Sequence, residues 1–258
     1  MSPATPPSVI VTRPAAQAAG VVRQLAARGI EAVSLPLIEI AAAPDPAAVA
    51  AAWAGLALRR LVVFVSANAV EHFFALRPPP AAWPAGTLAA APGPGTADAL
   101  RRHGLDESAI TLPSPDSPQF DSESLWQRLA GHDWHGASVL VVRGESGREW
   151  LAGQLSAAGA TVEGVAAYAR VAPRLSAEAR RLVEAAAAEP ARWVWLFSSS
   201  EAIDNLEAAT GIGRWRHSQA VATHPRIAAR ARAAGFADVR EAPPGLDAVA
   251  ACIQSLRP

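Results

Sequence analysis

Several short polar clusters carry the residue types from which a site for an anionic ligand is built. Thr12-Arg13 precedes Pro14, and Arg143-Gly144 precedes Glu145-Ser146-Gly147-Arg148. Ser66-Ala67-Asn68 and Ser198-Ser199-Ser200 each close an apolar run, Leu61 to Val65 and Trp193 to Phe197. Gly93-Pro94-Gly95-Thr96 and His224-Pro225-Arg226-Ile227 complete the set. A guanidinium forks onto a carboxylate with two parallel N–H bonds, and glycine lets backbone amides approach a ligand closely. Hydroxyls at a helix start cap its unpaired amides or share them with an anion. Taken singly, Arg13 and Arg143 read equally as surface arginines covering helix ends, and the serines as caps and nothing more. Tyr168 is the only tyrosine in the chain, and its phenol is either a proton donor or the polar tip of a side chain plugging a strand.

Other chemistries find little support. The 23 basic residues balance 23 acidic ones, and all of the basic ones are arginine, so neither a Schiff-base lysine nor the lysine of a phosphate-binding loop exists. The Gly93 run is not the dinucleotide fingerprint, because Asp98 stands where the third glycine belongs, and no Gly-x-Ser-x-Gly elbow occurs. Histidines are scattered at 72, 103, 132, 135, 217 and 224; His132 and His135 sit among Gly131, Asp133 and Gly136 in what reads as a loop rather than a metal site. The lone cysteine, Cys252, excludes a disulfide or a thiolate zinc cage within one chain and reads as core packing. Neither a cofactor nor a metal is expected. A zero net charge argues against a nucleic-acid partner. No apolar run approaches the roughly 18 residues of a membrane span, and Met1 to Ser8 lacks the pattern of a leader, so a cytoplasmic protein is expected.

The elements that must position these clusters repeat. Ser8 to Ile40 lies over Ser138 to Arg170 without a gap, at a constant offset of 130 that pairs Ser8 with Ser138, Val11 with Val141, Arg13 with Arg143, Leu25 with Leu155 and Gly29 with Gly159. Each copy reads as strand, helix, strand, with the glycine ending the helix in a left-handed residue. Downstream, Phe64 to Val70 answers Phe197 to Ile203, and Gly93 to Ala97 answers His224 to Ala228. The unbroken apolar runs suit strands buried on both faces of a parallel sheet. Ser176 and either Asp121 or Ser122 are expected to cap helices, and Pro78-Pro79-Pro80, the stretch from Leu112 to Gln119 and Pro243-Pro244 read as loops. Alternation of strands and helices predicts an α/β protein, and the duplication predicts two similar parallel-sheet lobes. In such sheets ligands bind beyond the carboxyl ends of the strands, where all six clusters would lie.

Val9-Ile10-Val11-Thr12-Arg13-Pro14, Phe64 to Val70, Gly93 to Leu100, Val141-Val142-Arg143-Gly144 with Gly147-Arg148, and Tyr168, in this order and spacing from about Ser8 to Leu256, resemble the uroporphyrinogen-III synthase family. The resemblance implies two flavodoxin-like lobes joined by a two-stranded ladder near residues 35–39 and 168–173, with a cleft between them. The first lobe would comprise 1–36 and 172–258, the second 37–171. Thr12, Arg13, Ser198, Ser199, Ser200, His224 and Arg226 would form one lip, and Ser66, Ala67, Asn68, Gly93, Pro94, Gly95, Thr96, Arg143, Gly144 and Arg148 the other. It further implies a monomeric enzyme without cofactor. This enzyme would close hydroxymethylbilane, a linear tetrapyrrole polyanion, into uroporphyrinogen III with inversion of ring D through a spiro intermediate and loss of water, and Tyr168 would assist the leaving hydroxyl. One departure is His224-Pro225-Arg226-Ile227, which lacks the threonine of the Gly93 loop. A cytosolic two-lobed small-molecule sensor, or a non-catalytic relative of the enzyme, would present the same pattern.

Overall fold

The continuous apolar runs become interior strands, since a strand covered on both faces has no polar side to offer water. The structure, a computed structural model, describes residues 7–117, 119–211, 215–243 and 245–256. The residues before Pro7, and Pro118 and Pro244 of the loops read from the sequence, lie outside the described residues.

β1 (Ser8–Val11), α1 (Ala15–Ala26) and β2 (Ala32–Ser34) come first. They are followed by β3 (Glu39–Ala41), α2 (Pro46–Ala54), β4 (Leu61–Phe64), α3 (Ala67–Ala75), β5 (Leu88–Ala90), α4 (Pro94–Arg102) and β6 (Ile110–Thr111). Next come α5 (Ser122–Leu129), β7 (Ser138–Gly144), α6 (Trp150–Ala157) and β8 (Thr161–Val171). The chain then runs through α7 (Ala177–Ala188), β9 (Trp193–Phe197), α8 (Ser200–Thr210), β10 (Gln219–Ala222), α9 (Pro225–Ala233), β11 (Asp238–Glu241) and α10 (Leu246–Ser255).

Two compact units result, Met1–Glu39 with Val171–Pro258, and Ile40–Arg170. The first holds a five-stranded sheet in the order β11-β10-β9-β1-β2, parallel throughout. The second holds the order β3-β8-β7-β4-β5-β6, parallel from β8 to β6. β1 and β7, the strands that open the two similar sequence stretches, occupy corresponding places: each lies between the strand that follows it (β2 or β8) and one from a separate stretch of chain (β9 or β4). Strand order therefore reverses beside β1 and beside β7, which is where ligands gather in open parallel sheets.

Both faces of each sheet are packed. In the second unit Val62, Phe64, Leu140 and Val142 point into one core with Trp53, Phe73 and Tyr168, while Leu61, Val63, Val139 and Val141 point into another with Leu125, Leu151 and Leu155. In the first unit Val9, Val11, Val194 and Leu196 pack beneath α1 and α10. On the other side Trp195, Phe197, Trp215 and Phe236 meet with ring centroids 4.9 to 6.1 Å apart.

Local chemistry sets the helix ends. Asp45, Ser66, Asp121 and Ser176 each accept the backbone N–H three residues on, at 2.8 to 3.2 Å. Asp121, not Ser122, is thus the cap of α5. Gly29 and Gly159 hold φ of 70° and 94°, where a side chain would be strained. The ladder differs from expectation. Residues 35–38 stay against β1, with Leu35 N–H donating to Val11 O at 2.9 Å and Leu37 N–H to Thr12 O at 3.2 Å, and only Glu39 begins the strand that pairs with β8. These residues are held there: Leu35, Leu37 and Ile38 are buried, and Asn205 Nδ2 donates to Leu37 O at 2.7 Å. Among the described residues no helix is long and apolar enough to cross a membrane.

Candidate functional site

In the first unit, β1, β9 and β10 are consecutive neighbours, so the loops that follow them share one sheet edge. Thr12, read as a ligand hydroxyl, is instead part of the scaffold: it is 1% exposed and its Oγ1 donates to Leu196 O at 2.7 Å, clipping β1 to β9. Pro14 stands at the N-cap of α1, one position ahead of the first helical residue. Arg13 turns toward the serine loop, its Nε donating to Ser198 Oγ at 2.9 Å. Burial pushes the Arg13 guanidinium down from its ordinary pKa, yet no carboxylate pairs with it among the described residues. It remains a cation at neutral pH, because arginine starts so far above 7. Ser199 is the N-cap of α8 without a side-chain cap bond, and the Ser200 hydroxyl is buried without a partner among the described residues. His224 Nδ1 accepts Arg226 N–H at 3.1 Å and so caps α9, leaving the Arg226 side chain exposed.

In the second unit the loops after β7, β4 and β5 likewise share an edge. Gly93 is kept small by Phe120, whose Cβ would lie 3.2 Å from an added methyl group, whereas Gly95 faces open space and leaves its backbone accessible. Thr96 is 7% exposed and Ile227, its counterpart, 6%. The departure at Ile227 is therefore a packing matter, since the position faces the core in both units, and Thr96 is not an open ligand hydroxyl. Arg143 Nη2 lies 3.1 Å from Glu149 Oε1, and Arg148 is paired with Glu123. Both arginines border a cavity of about 460 Å³ floored by Val63, Leu125, Val141 and Leu151. Glu123 and Glu149 are the partners that sequence reasoning missed; ion pairs across a loop leave no periodic trace.

Ser66, Gly144 and Tyr168 come together around one phenol. The ladder between β7 and β8 slips at Arg143 and Gly144, so that Gly144 pairs with Tyr168 and Ala167 is skipped. A methyl group added at Gly144 would sit 3.0 Å from Tyr168 Cζ and 3.3 Å from its hydroxyl oxygen. Gly144 is thus a seat for the ring rather than a point of approach for a ligand. Tyr168 is 1% exposed; its hydroxyl lies 3.2 Å from Ser66 Oγ, and Arg170 Nη2 donates to it at 3.4 Å. The Arg170 guanidinium stands 5.9 Å from the ring centroid and the His72 ring 5.8 Å from it. Neither Arg170 nor His72 was singled out from sequence, although Arg170 shares a strand face with Tyr168 by its spacing of two. Asn68 and Ala67, half-buried, occupy the first turn of α3 beside Ser66. Among the described residues no cluster of three or more His, Cys, Asp or Glu side chains has the arrangement of a metal site.

Comparison with known proteins agrees in kind. A family model described as uroporphyrinogen-III synthase HemD matches residues 20–249. The uroporphyrinogen-III synthase of Salmonella typhimurium strain LT2 is 34% identical over 166 residues, a stretch that covers 64% of this chain and 65% of that protein. Among solved structures, a mutant uroporphyrinogen III synthase from the extremely thermophilic bacterium Thermus thermophilus superposes with a TM-score of 0.62 at 15% identity, covering 97% of this chain and 98% of that one. The uroporphyrinogen-III synthetase of Helicobacter pylori 26695 does so with the same TM-score and identity, covering 97% and 100%. At such identity these two show a shared α/β fold with parallel sheets. The family model spans nearly the whole chain, and the chain therefore belongs to the uroporphyrinogen-III synthase family.

Proposed function

We propose that this protein converts hydroxymethylbilane to uroporphyrinogen III, closing the linear tetrapyrrole with ring D inverted and releasing water, as a cyclising lyase of haem biosynthesis. The observation that carries the reading is the polar edge of each sheet at its point of reversed strand order, with the chain's one phenol held beside Ser66. The two units are flavodoxin-like lobes descended from one duplicated segment, with boundaries near residues 37 and 171; the corresponding places of β1 and β7 support this. The protein works as a cytoplasmic monomer and uses neither nucleic acid nor membrane.

Substrate carboxylates are bound by Arg13 and Arg226, which have no acidic partner among the described residues, and by Arg143 and Arg148, which exchange Glu149 and Glu123 for the ligand. Ser198, Ser199, Ser200, His224, Asn68 and the backbone of Ala67, Pro94 and Gly95 supply further hydrogen-bonding groups. A neutral protein thus binds a polyanion through local positive charge. Departure of the terminal hydroxyl as water leaves a cation on the substrate. The substituted carbon of ring D attacks it, and the spiro intermediate fragments and recloses with that ring turned over. Because the open substrate also cyclises unaided, the protein's main contribution is orientation, a term that reaches roughly 7 kcal/mol in favourable systems. Tyr168 supports loss of the hydroxyl.

Incubation with freshly prepared hydroxymethylbilane, followed by isomer analysis of the product, tests the reading. Type III isomer in excess is the expected result; type I isomer alone refutes it and leaves a binding protein.

A further inference from the structure

We propose that Ser66 is the group that meets the leaving hydroxyl, and that Tyr168 and Arg170 act through it as positioning residues, an assignment that rests on the cyclisation proposed above. Tyr168 is sealed in the core, whereas Ser66 is half-buried at the end of β4. Their oxygens are 3.2 Å apart, and one O–H must lie in that contact. If the serine supplied it, the phenolic proton would be buried with no acceptor among the described residues, because Arg170, the other group that bonds to the phenol there, carries donors only. An unmet buried donor bears its full desolvation penalty. The phenol is therefore the donor, and Arg170 donates into the phenol oxygen.

Ser66 Oγ then has both lone pairs engaged, by the phenol and by Ala69 N–H at 3.2 Å. Its own proton is the one group left to offer outward. In the reaction that proton passes to the hydroxyl oxygen of the substrate as the C–O bond breaks, and the bonding pair leaves with the water. The phenolic proton refills Ser66 Oγ, and the phenolate faces the Arg170 guanidinium. Ring closure releases one proton from a pyrrole carbon, which restores the phenol, so the enzyme ends unchanged.

The single tyrosine makes the test direct, because labelling with tyrosine carrying 13C at Cζ gives one NMR resonance from Tyr168. Ser66→Gly and Ser66→Asn both remove the hydroxyl while keeping a residue tolerated at a helix N-cap, so one of them serves if the other does not fold. The resonance is expected to move in either variant and to return in Ser66→Thr. In the same variants kcat for the type III isomer should fall at least about tenfold, with KM within about twofold of the parent. Adding Tyr168→Phe to Ser66→Gly should cost nothing further, since the phenol has lost its route. An unmoved resonance, or losses that multiply in the double variant, would overturn the relay. Wild-type protein that returns only type I isomer refutes the cyclase reading and the catalytic step with it, while the resonance still reports the hydrogen bond.

Discussion

Tyr168 and Gly144 illustrate how far a residue's type speaks for its role. Both were candidates by type and place, yet the structure makes Gly144 the seat of the Tyr168 ring, with room for hydrogen and nothing larger. Gly144→Ala is expected to cost about 1–3 kcal/mol by overpacking, read as a lower urea midpoint, and to lower kcat because the phenol is pushed off Ser66. A variant of unaltered stability and turnover would mean that the ring has space to move. The slip in the ladder at this point leaves no sequence signature, because it depends on how β8 registers against β7.

Among the elements, corresponding loops keep their positions and divide their duties differently. Ser66 caps α3, whereas Ser199 makes no side-chain cap bond to α8. Thr12 joins β1 to β9, so Thr12→Val, which keeps the shape and removes the hydroxyl, should lower stability by about 1 kcal/mol in a denaturant titration with KM unchanged. A rise in KM would return Thr12 to the ligand set. Arg143 is held by an exposed Glu149. Glu149→Gln should therefore free the guanidinium and lower KM for the polyanion about twofold at low salt, an effect that fades as salt screens it. An unchanged KM in low salt would take Arg143 out of the binding set. The strand–helix–strand pattern, the glycine ends and the helix caps at Asp121 and Ser176 were legible, because each depends on a few neighbouring residues. The pairing of Arg148 with Glu123 was not, since it joins two helix starts with no periodicity between them.

The whole molecule is interleaved, with the second unit drawn from one continuous stretch and the first from two. Residues 39–171 expressed alone should fold, giving mixed α/β circular dichroism and a cooperative urea transition. Residues 172–258 alone should not fold, because β9 loses β1, its partner from Ser8 to Val11, and with it one side of a central strand. A cooperative transition in the shorter fragment would show that β1 is dispensable.

Composition, the repeat and the polar loops were enough to set the fold class and the sheet edges at which chemistry belongs. The reason is that burial on both faces demands unbroken apolar strands, and strand ends leave amides unpaired wherever such sheets occur. Which of those polar residues remain free was a tertiary matter. Thr12, Thr96 and Gly144 are consumed by packing and strand contacts, while Arg13 keeps its charge without an acidic partner among the described residues. Availability depends on which groups from distant parts of the chain arrive beside a side chain, and residue type and spacing do not encode that.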